Sequence, residues 1–394
     1  MRKKQYKIFA AIHLGSEMIS MQIVQYRNLN NMKVLEECNR RVRLGEETFK
    51  NKIIPFSMVN EICELLVGFK RLMTEYEVEE YSMQATTAVR EALNRVFLLD
   101  QIYIRTGLKV TVIDLPEEIY TKYASIRRTM KLDGLTGVDE SMLMMDISSG
   151  GLGITFVKDN IIRYQQNLNI GVIRVKESFN RNQRSSMKFN QALAEYLSST
   201  MGAVRDALKN EQIHYLVLTG AESELLLQMM GVEFKAGVIR IKTEQFMQLF
   251  KTVHELNLPQ IIKVFKINED VAELVVPTIL LYEQLLALVP VQEIILTDDR
   301  FIDGICLLHI GPKASKDYAD ELEQEQLSLL YSIGERYQYD EAHSRQVAKL
   351  ALAMFDKLGK HHGLDSHSRI LLQATALLHD IGKYVSLRSH SLYS

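Results

Sequence analysis

The sequence predicts a mixed α/β molecule of two similar lobes with a cleft between them, followed by an all-helical tail. Three observations carry that prediction. A strand–turn–strand unit with a hydroxyl- and glycine-bearing turn occurs at Leu14-Gly15-Ser16 and again at 148–153. Each unit is followed by mixed helical and strand patterns. After a charged segment at 313–326 the chain reads as all-helical.

Along the first lobe, residues 7–12, 18–26 and 33–43 read as strands. Residues 59–76 carry Val59, Ile62, Leu66, Phe69 and Met73 at helical spacing. A short strand (81–84), a helix (88–106) and a strand (109–113) follow. Pro116 opens a helix to about residue 129, with Glu117 and Glu118 in its first turn, where carboxylates suit the helix dipole. A Gly- and Asp-rich stretch, 131–140, marks the border. The second lobe has an apolar strand, 141–147, with Asp146 near its end, strands at 154–158 and 161–165, and a helix around 191–208. A strand at 215–218 ends in Thr219-Gly220-Ala221. Residues 274–296 hold Pro277, Glu283, Pro290 and Glu293, and so read as a buried helix plus strand rather than a membrane span. The divisions are 1–130, 131–312 and 313–394.

The chain has 394 residues, 47% hydrophobic and 24% charged, the composition of a soluble globular protein. Its net charge of −2 gives no basic field for nucleic acid. No membrane association is expected. The basic start and apolar run resemble a leader peptide, but His13 interrupts the run and alternation follows, which favours a hairpin. Cys38, Cys63 and Cys306 lack metal-binding or redox spacing, so reduced thiols in the cytoplasm are expected.

The most informative stretch is 83–95, Met-Gln-Ala-Thr-Thr-Ala-Val-Arg-Glu-Ala-Leu-Asn-Arg. It runs from a strand end through Thr86 and Thr87 into a helix, with Arg90 and Asn94 four apart on one face. A hydroxyl-rich helix start with an outward Arg suits an oxyanion. With its neighbours it resembles the exopolyphosphatase/guanosine-pentaphosphate phosphatase (Ppx/GppA) family. Ala10-Ala11-Ile12-His13-Leu14-Gly15-Ser16 resembles the first phosphate loop, and Val42-Arg43-Leu44-Gly45 the strand-end motif. Ala85 to Ala92 with Asn94 is the most specific match. Val112 to Glu118 resembles the segment with a paired Glu, and Asp146-Ile147-Ser148-Ser149-Gly150-Gly151 the second phosphate loop. Ile170-Gly171-Val172-Ile173-Arg174 and Thr219-Gly220-Ala221 follow in order.

The resemblance implies a two-lobed actin-like ATPase (ribonuclease H-like) fold, with inorganic polyphosphate or guanosine pentaphosphate as substrate, Mg²⁺ as cofactor and a homodimer. It implies a phosphoanhydride hydrolase releasing terminal phosphate. Gly15, Ser16, Ser148, Ser149, Gly150, Gly151 and Gly220 would cradle phosphate through strand-end turns that expose N–H groups. Arg90 would neutralise a phosphoryl oxygen. Glu117 or Glu118 would serve as general base, and Asp146 would hold Mg²⁺. The plainer readings are that Glu117 and Glu118 only cap their helix, that Arg90 pairs with a nearby carboxylate, and that His13 is a packed turn residue.

Several positions depart from the family pattern. His13 stands in place of an Asp, and a neutral imidazole is a poor Mg²⁺ ligand. Glu17 and Met18 replace an Asn and a hydroxyl residue. Ser148 and Ser149 replace glycines, Leu152 and Gly153 replace Thr and Glu, and Gly220-Ala221-Glu222 replaces Gly-Gly-Thr. A second reading follows: a weakened or inactive member acting as a phosphorylated-ligand sensor or scaffold. A sugar-kinase-like ATPase would need a Gly-rich adenosine pocket, which 219–222 lacks.

The tail resembles part of an HD-type helical domain, with His343, His379 and Asp380 as metal ligands. His390 fits a further His of some such domains. The sequence reaches Ser394 before the domain's remaining helices and last Asp. A scaffold or dimer surface is the plainer reading.

Overall fold

The computed structural model describes residues 6–135, 140–178, 189–233 and 237–394, so part of the predicted border loop, 136–139, lies outside the described residues. The chain forms two compact units: Met1–Phe156 with Gln165–Lys316, and Val157–Tyr164 with Asp317–Ser394.

The first unit contains a five-stranded sheet in the order β3-β2-β1-β4-β5. Strands β1 (Lys7–Leu14), β2 (Met18–Asn28) and β3 (Asn31–Arg41) form an antiparallel meander. Strands β4 (Glu80–Ala85) and β5 (Thr111–Val112) add in parallel. Successive strand residues face opposite sides. Ala10, Ile12 and Leu14 therefore enter one core, with Ile62, Leu66, Phe69, Leu98 and Ile102 from the helices Phe56–Glu75 and Arg95–Thr106. Phe9 and Ala11 enter the other, with Ile302, Ile305 and Ile310 of the helix Phe301–Ala314.

That last helix lies far along the chain yet packs on the first sheet and on the helix Leu115–Leu132. The approach is close enough that a Cβ on Gly304 would stand 2.1 Å from the Thr121 carbonyl oxygen. Gly304→Ala is therefore expected to lower stability by about 2 kcal/mol, measured as a fall in the urea midpoint.

A second sheet has the order β10-β11-β9-β6-β7-β8. Its strands are β6 (Ser141–Ile147), β7 (Leu152–Lys158), β8 (Ile161–Leu168), β9 (Tyr215–Thr219), β10 (Val238–Lys242) and β11 (Glu293–Thr297). Strands β6, β9 and β11 run parallel. Open α/β sheets bind ligands beyond the carboxyl ends of such strands, which here are Leu14, Ala85, Ile147, Thr219 and Thr297.

Four local expectations change. The predicted helix 88–106 is two helices, Thr87–Glu91 and Arg95–Thr106, broken where Ala92 turns extended. Asn94 spends its side chain on the break, accepting from Ile54 N at 3.0 Å and donating to Ile54 O at 2.8 Å. It thus shares no helix face with Arg90. The helix Leu44–Asn51 forms in a segment too short to show periodicity. The predicted helix at 191–208 divides at Met201, and the charged segment after 313 is a helix, Lys316–Arg336.

The helix Glu269–Leu288 is long and apolar enough to cross a membrane by length and composition. Val275, Ile279, Tyr282 and Leu285 are buried in the unit, and strand β11 follows, the helix-plus-strand arrangement read from the sequence.

Beyond Val157–Tyr164, which belongs to β7 and β8, the second unit is helical: Lys316–Arg336, Glu341–His362, Ser366–Leu378 and 3₁₀ turns at Ile381–Tyr384 and His390–Leu392. Asp340 and Asp365 cap two helices by accepting from His343 N and Ser368 N. Ala348, Ala376 and Leu377 form its small core with Leu327, Leu330 and Val347.

Candidate active site

A cleft of about 420 Å³ opens beyond the strand ends of the first unit. Each wall begins as a tight turn. After β1, Gly15 N donates to Met18 O at 3.0 Å, while Ser16 O accepts from Gly45 N at 2.8 Å. Gly15 leaves no room for a side chain, since a Cβ would meet His13 and Met18 O at 2.8 Å. After β6, Ser148 N donates to Gly151 O at 2.9 Å, closing a four-residue turn. After β9, Gly220 takes φ 119°, a left-handed conformation that glycine adopts without strain. The side chains of Ala221 and Glu222 lie outside the description.

Of the predicted phosphate binders, Gly15, Ser16, Ser148, Ser149 and Gly220 line the cleft. Gly150 and Gly151 stand behind it as packing positions. A Cβ on Gly150 would meet Phe49 at 2.8 Å and Thr87 at 2.9 Å, and one on Gly151 would meet Leu168 O at 3.0 Å. Two departures from the family pattern meet here: Ser149 Oγ donates to Glu17 Oε2 at 2.9 Å, joining the first turn to the second.

The paired glutamates separate. Asp114 caps their helix, accepting from Glu117 N at 2.9 Å, and leaves the Glu117 side chain exposed. Glu118 turns into the cleft. It accepts from Arg90 Nη1 at 2.9 Å and Thr87 Oγ1 at 3.2 Å. Burial raises its pKa above the usual carboxylate range, the Arg90 charge and the Arg90 and Thr87 bonds oppose the rise, and Asp146 adds to it. Arg90 is spent on Glu118, on Thr87 Oγ1 at 2.8 Å and on Ile113 O at 2.8 Å. These described bonds of Arg90 all go to groups of the protein, and Arg90 is not among the residues that line the cleft.

Asp146 lines the cleft, and its Oδ1 accepts from Thr219 Oγ1 at 2.5 Å. The same oxygen is 3.8 Å from Lys122 Nζ. His13 sits beside them, 3.2 Å from Thr86 Oγ1 and with its ring centroid 4.4 Å from that of Phe301. Burial and the Lys122 charge push its pKa down to about 3, so the ring is neutral and packed.

Lys122, Ser125, Thr129 and Asp299 escape a motif reading. Lys122 is buried and donates to Asp299 O at 2.5 Å, while Ser125 and Thr129 hydroxyls donate to Asp299 Oδ1 at 2.5 and 3.0 Å. Burial raises the Asp299 pKa against these bonds. Their signal is a polar stripe: Glu118, Lys122, Ser125 and Thr129 recur every three or four residues on one helix face.

In the second unit, His343 and His379 converge on the buried Asp380 carboxylate, with Nε2 to Oδ2 separations of 3.6 and 3.5 Å.

The chain is similar to known proteins along most of its length. The sequence model of the Ppx/GppA phosphatase family matches residues 22–307, and that of Ppx/GppA phosphatase domain III matches 328–394. The C-terminal helices read as part of an HD-type domain thus match the family's own third domain. A guanosine-5'-triphosphate,3'-diphosphate pyrophosphatase of Vibrio atlanticus is 23% identical over 98% of this chain and 75% of its own length. One from Vibrio vulnificus is 21% identical over the same shares. Among solved structures, an exopolyphosphatase from Cytophaga hutchinsonii superposes with a TM-score of 0.68 at 19% identity, covering 77% of this chain and 98% of that one. An Aquifex aeolicus Ppx/GppA member gives 0.64 at 19% identity over the same shares. Two sheets meeting at strand-end turns, a helix-borne carboxylate between them, and family matches along both the lobes and the helical tail place this chain in the Ppx/GppA phosphatase family.

Proposed function

We propose that the cleft hydrolyses terminal phosphoanhydride bonds, releasing orthophosphate from inorganic polyphosphate or from guanosine pentaphosphate. The observation that carries this reading is Glu118, held by Arg90 and Thr87 where three strand-end turns and Asp146 face a shared space. Loose phosphoryl-transfer transition states need charge-neutralising donors and a positioned water rather than covalent catalysis. The turns after β1, β6 and β9 offer backbone N–H groups to the equatorial oxygens. Glu118 orients a water and takes its proton as the new P–O bond forms, and the bridging P–O bond breaks to leave the shortened chain. Its raised pKa makes it a stronger base than an exposed glutamate. Lys122 contributes a fixed positive charge beside Asp146.

Magnesium suits this set, because Mg²⁺ is commonly held by one or two carboxylates together with water and substrate phosphates. Asp146 supplies such a carboxylate, partly exposed and with both described contacts on Oδ1. When bound, the ion would neutralise charge on the phosphates. His13, neutral and packed, adds no ligand for a hard cation. We place the enzyme in the cytoplasm, where Cys38, Cys63 and Cys306 stay reduced, and in a homodimer.

The Glu17 carboxylate beside Ser149 favours a second reading, a phosphorylated-ligand binder with little turnover. Product chromatography separates the two. With Mg²⁺ and either substrate, the enzyme reading expects orthophosphate and chains shortened one unit at a time. Saturable binding without orthophosphate would favour the binder, and neither would remove both.

A further inference from the structure

Four of the strand ends that open on the cleft carry a carboxylate. Glu17 lies in the turn after β1 and Asp146 near the end of β6. Glu224 lies on the opening turn of the helix Ala221–Met229 after β9, and Asp298 directly after β11. All four line the cleft. The described bonds to Glu17 and Asp298 come from neutral donors, Ser149 Oγ at 2.9 Å and Gly237 N at 3.0 Å. Glu224 is exposed.

Among the described residues, the cationic side chains lining the same walls are Lys122 and Arg300, since His13 is neutral. Lys122 is buried beside Asp146, 3.8 Å from its Oδ1. Arg300 donates to both oxygens of Glu37 and, through Nε, to Asp303 Oδ2 at 3.3 Å. Arg90 pairs with Glu118 from outside the lining. Glu17, Glu224 and Asp298 therefore keep their charge without a described cation in contact.

A terminal phosphate meets these walls at hydrogen-bond range, where the N–H groups of the turns hold it. Each further phosphate of a long chain adds charge but no second terminal group. Charges act over about 8–10 Å at ordinary salt. The added units thus feel Glu17, Glu224 and Asp298 even where no N–H reaches them. Like charges set face to face select against a ligand as firmly as good contacts select for one.

Building on the phosphatase reading, we propose that the cleft selects short phosphoanhydrides, a few linked phosphates long. Glu17, Glu224 and Asp298 are the residues that turn long-chain polyphosphate away. Glu224 and Asp298 are the pair to vary, because Glu17 also joins the first turn to the second. Free tripolyphosphate and guanosine pentaphosphate share the selected chemistry.

The test is calorimetric titration, at fixed Mg²⁺, of the full chain carrying Glu118→Gln, which keeps the ligands intact during the measurement. The ligands are tripolyphosphate, long-chain polyphosphate counted per chain end, and guanosine pentaphosphate. At low salt the long chain should bind at least about tenfold more weakly than tripolyphosphate, the lower end of what a focused surface potential does to a charged ligand. The gap should narrow as KCl rises, because screening weakens the repulsion. A basic polyanion site would instead lose affinity with salt. Adding Glu224→Gln and Asp298→Asn should also narrow the gap, by tightening the long chain more than tripolyphosphate. The amides keep the side-chain shapes, and Oδ1 of the Asn can still accept from Gly237 N. A variant that merely damaged the fold would weaken both ligands. Guanosine pentaphosphate binding tighter than tripolyphosphate would assign the ligand to nucleotides, and equal binding to inorganic chains. Long chains that bind as tightly as tripolyphosphate at low salt, or a gap that neither salt nor the added substitutions alter, would overturn the proposal. Failure of the wild type to release orthophosphate would count against the phosphatase reading alone, since these affinities need no turnover.

Discussion

Glu118→Gln is expected to cut kcat for orthophosphate release about 10²–10⁴-fold, the span typical of a lost general base. KM should change little, because the amide keeps the shape of the side chain and one oxygen for Arg90 and Thr87. Glu117→Gln should leave kcat nearly unchanged, since that side chain is exposed on the helix flank. Equal losses at both positions would remove the assignment. The pH profile supplies a second arm. A base works when ionised, and burial raises the Glu118 pKa. The rate should therefore fall as pH drops through a value above the ordinary glutamate pKa, and that limb should vanish in Glu118→Gln.

Lys122→Met is expected to lower stability by about 3 kcal/mol, near the low end for breaking a buried ion pair, because Asp146 is partly exposed. The loss leaves the Asp299 carbonyl without its buried donor and Asp146 without its nearby cation. Phosphate release should fall in the variant under conditions where it is still folded. Urea unfolding followed by circular dichroism, with the release assay run below the transition, reads both effects. Unchanged stability would mean that the Lys122 contacts contribute nothing net.

The duplicated strand–turn–strand units are legible in the sequence because short apolar runs that end in Gly- and Ser-bearing turns leave few alternatives. The two turns lie where the sequence puts them, and Asp146 stands at the end of β6. The paired glutamates are legible only as a pair. Which one faces the cleft depends on how the Leu115–Leu132 helix packs against the Phe301–Ala314 helix and β6, and this is a tertiary fact. The role of Arg90 is hidden for a similar reason. Asn94 spends its side chain on Ile54, the helix breaks at Ala92, and Arg90 turns to Glu118. Lys122 escapes notice because a lysine inside an amphipathic helix ordinarily faces solvent. Its partner Asp299 lies 177 residues away, reached only when the Phe301–Ala314 helix returns to the first sheet.

The most direct test of the central claim is hydrolysis of polyphosphate in ¹⁸O-enriched water with Mg²⁺, followed by mass spectrometry of the products. Attack by a Glu118-activated water on the terminal phosphorus predicts one solvent oxygen in each released orthophosphate and none in the shortened chain. Solvent oxygen in the shortened chain, or no orthophosphate from folded protein, would contradict it.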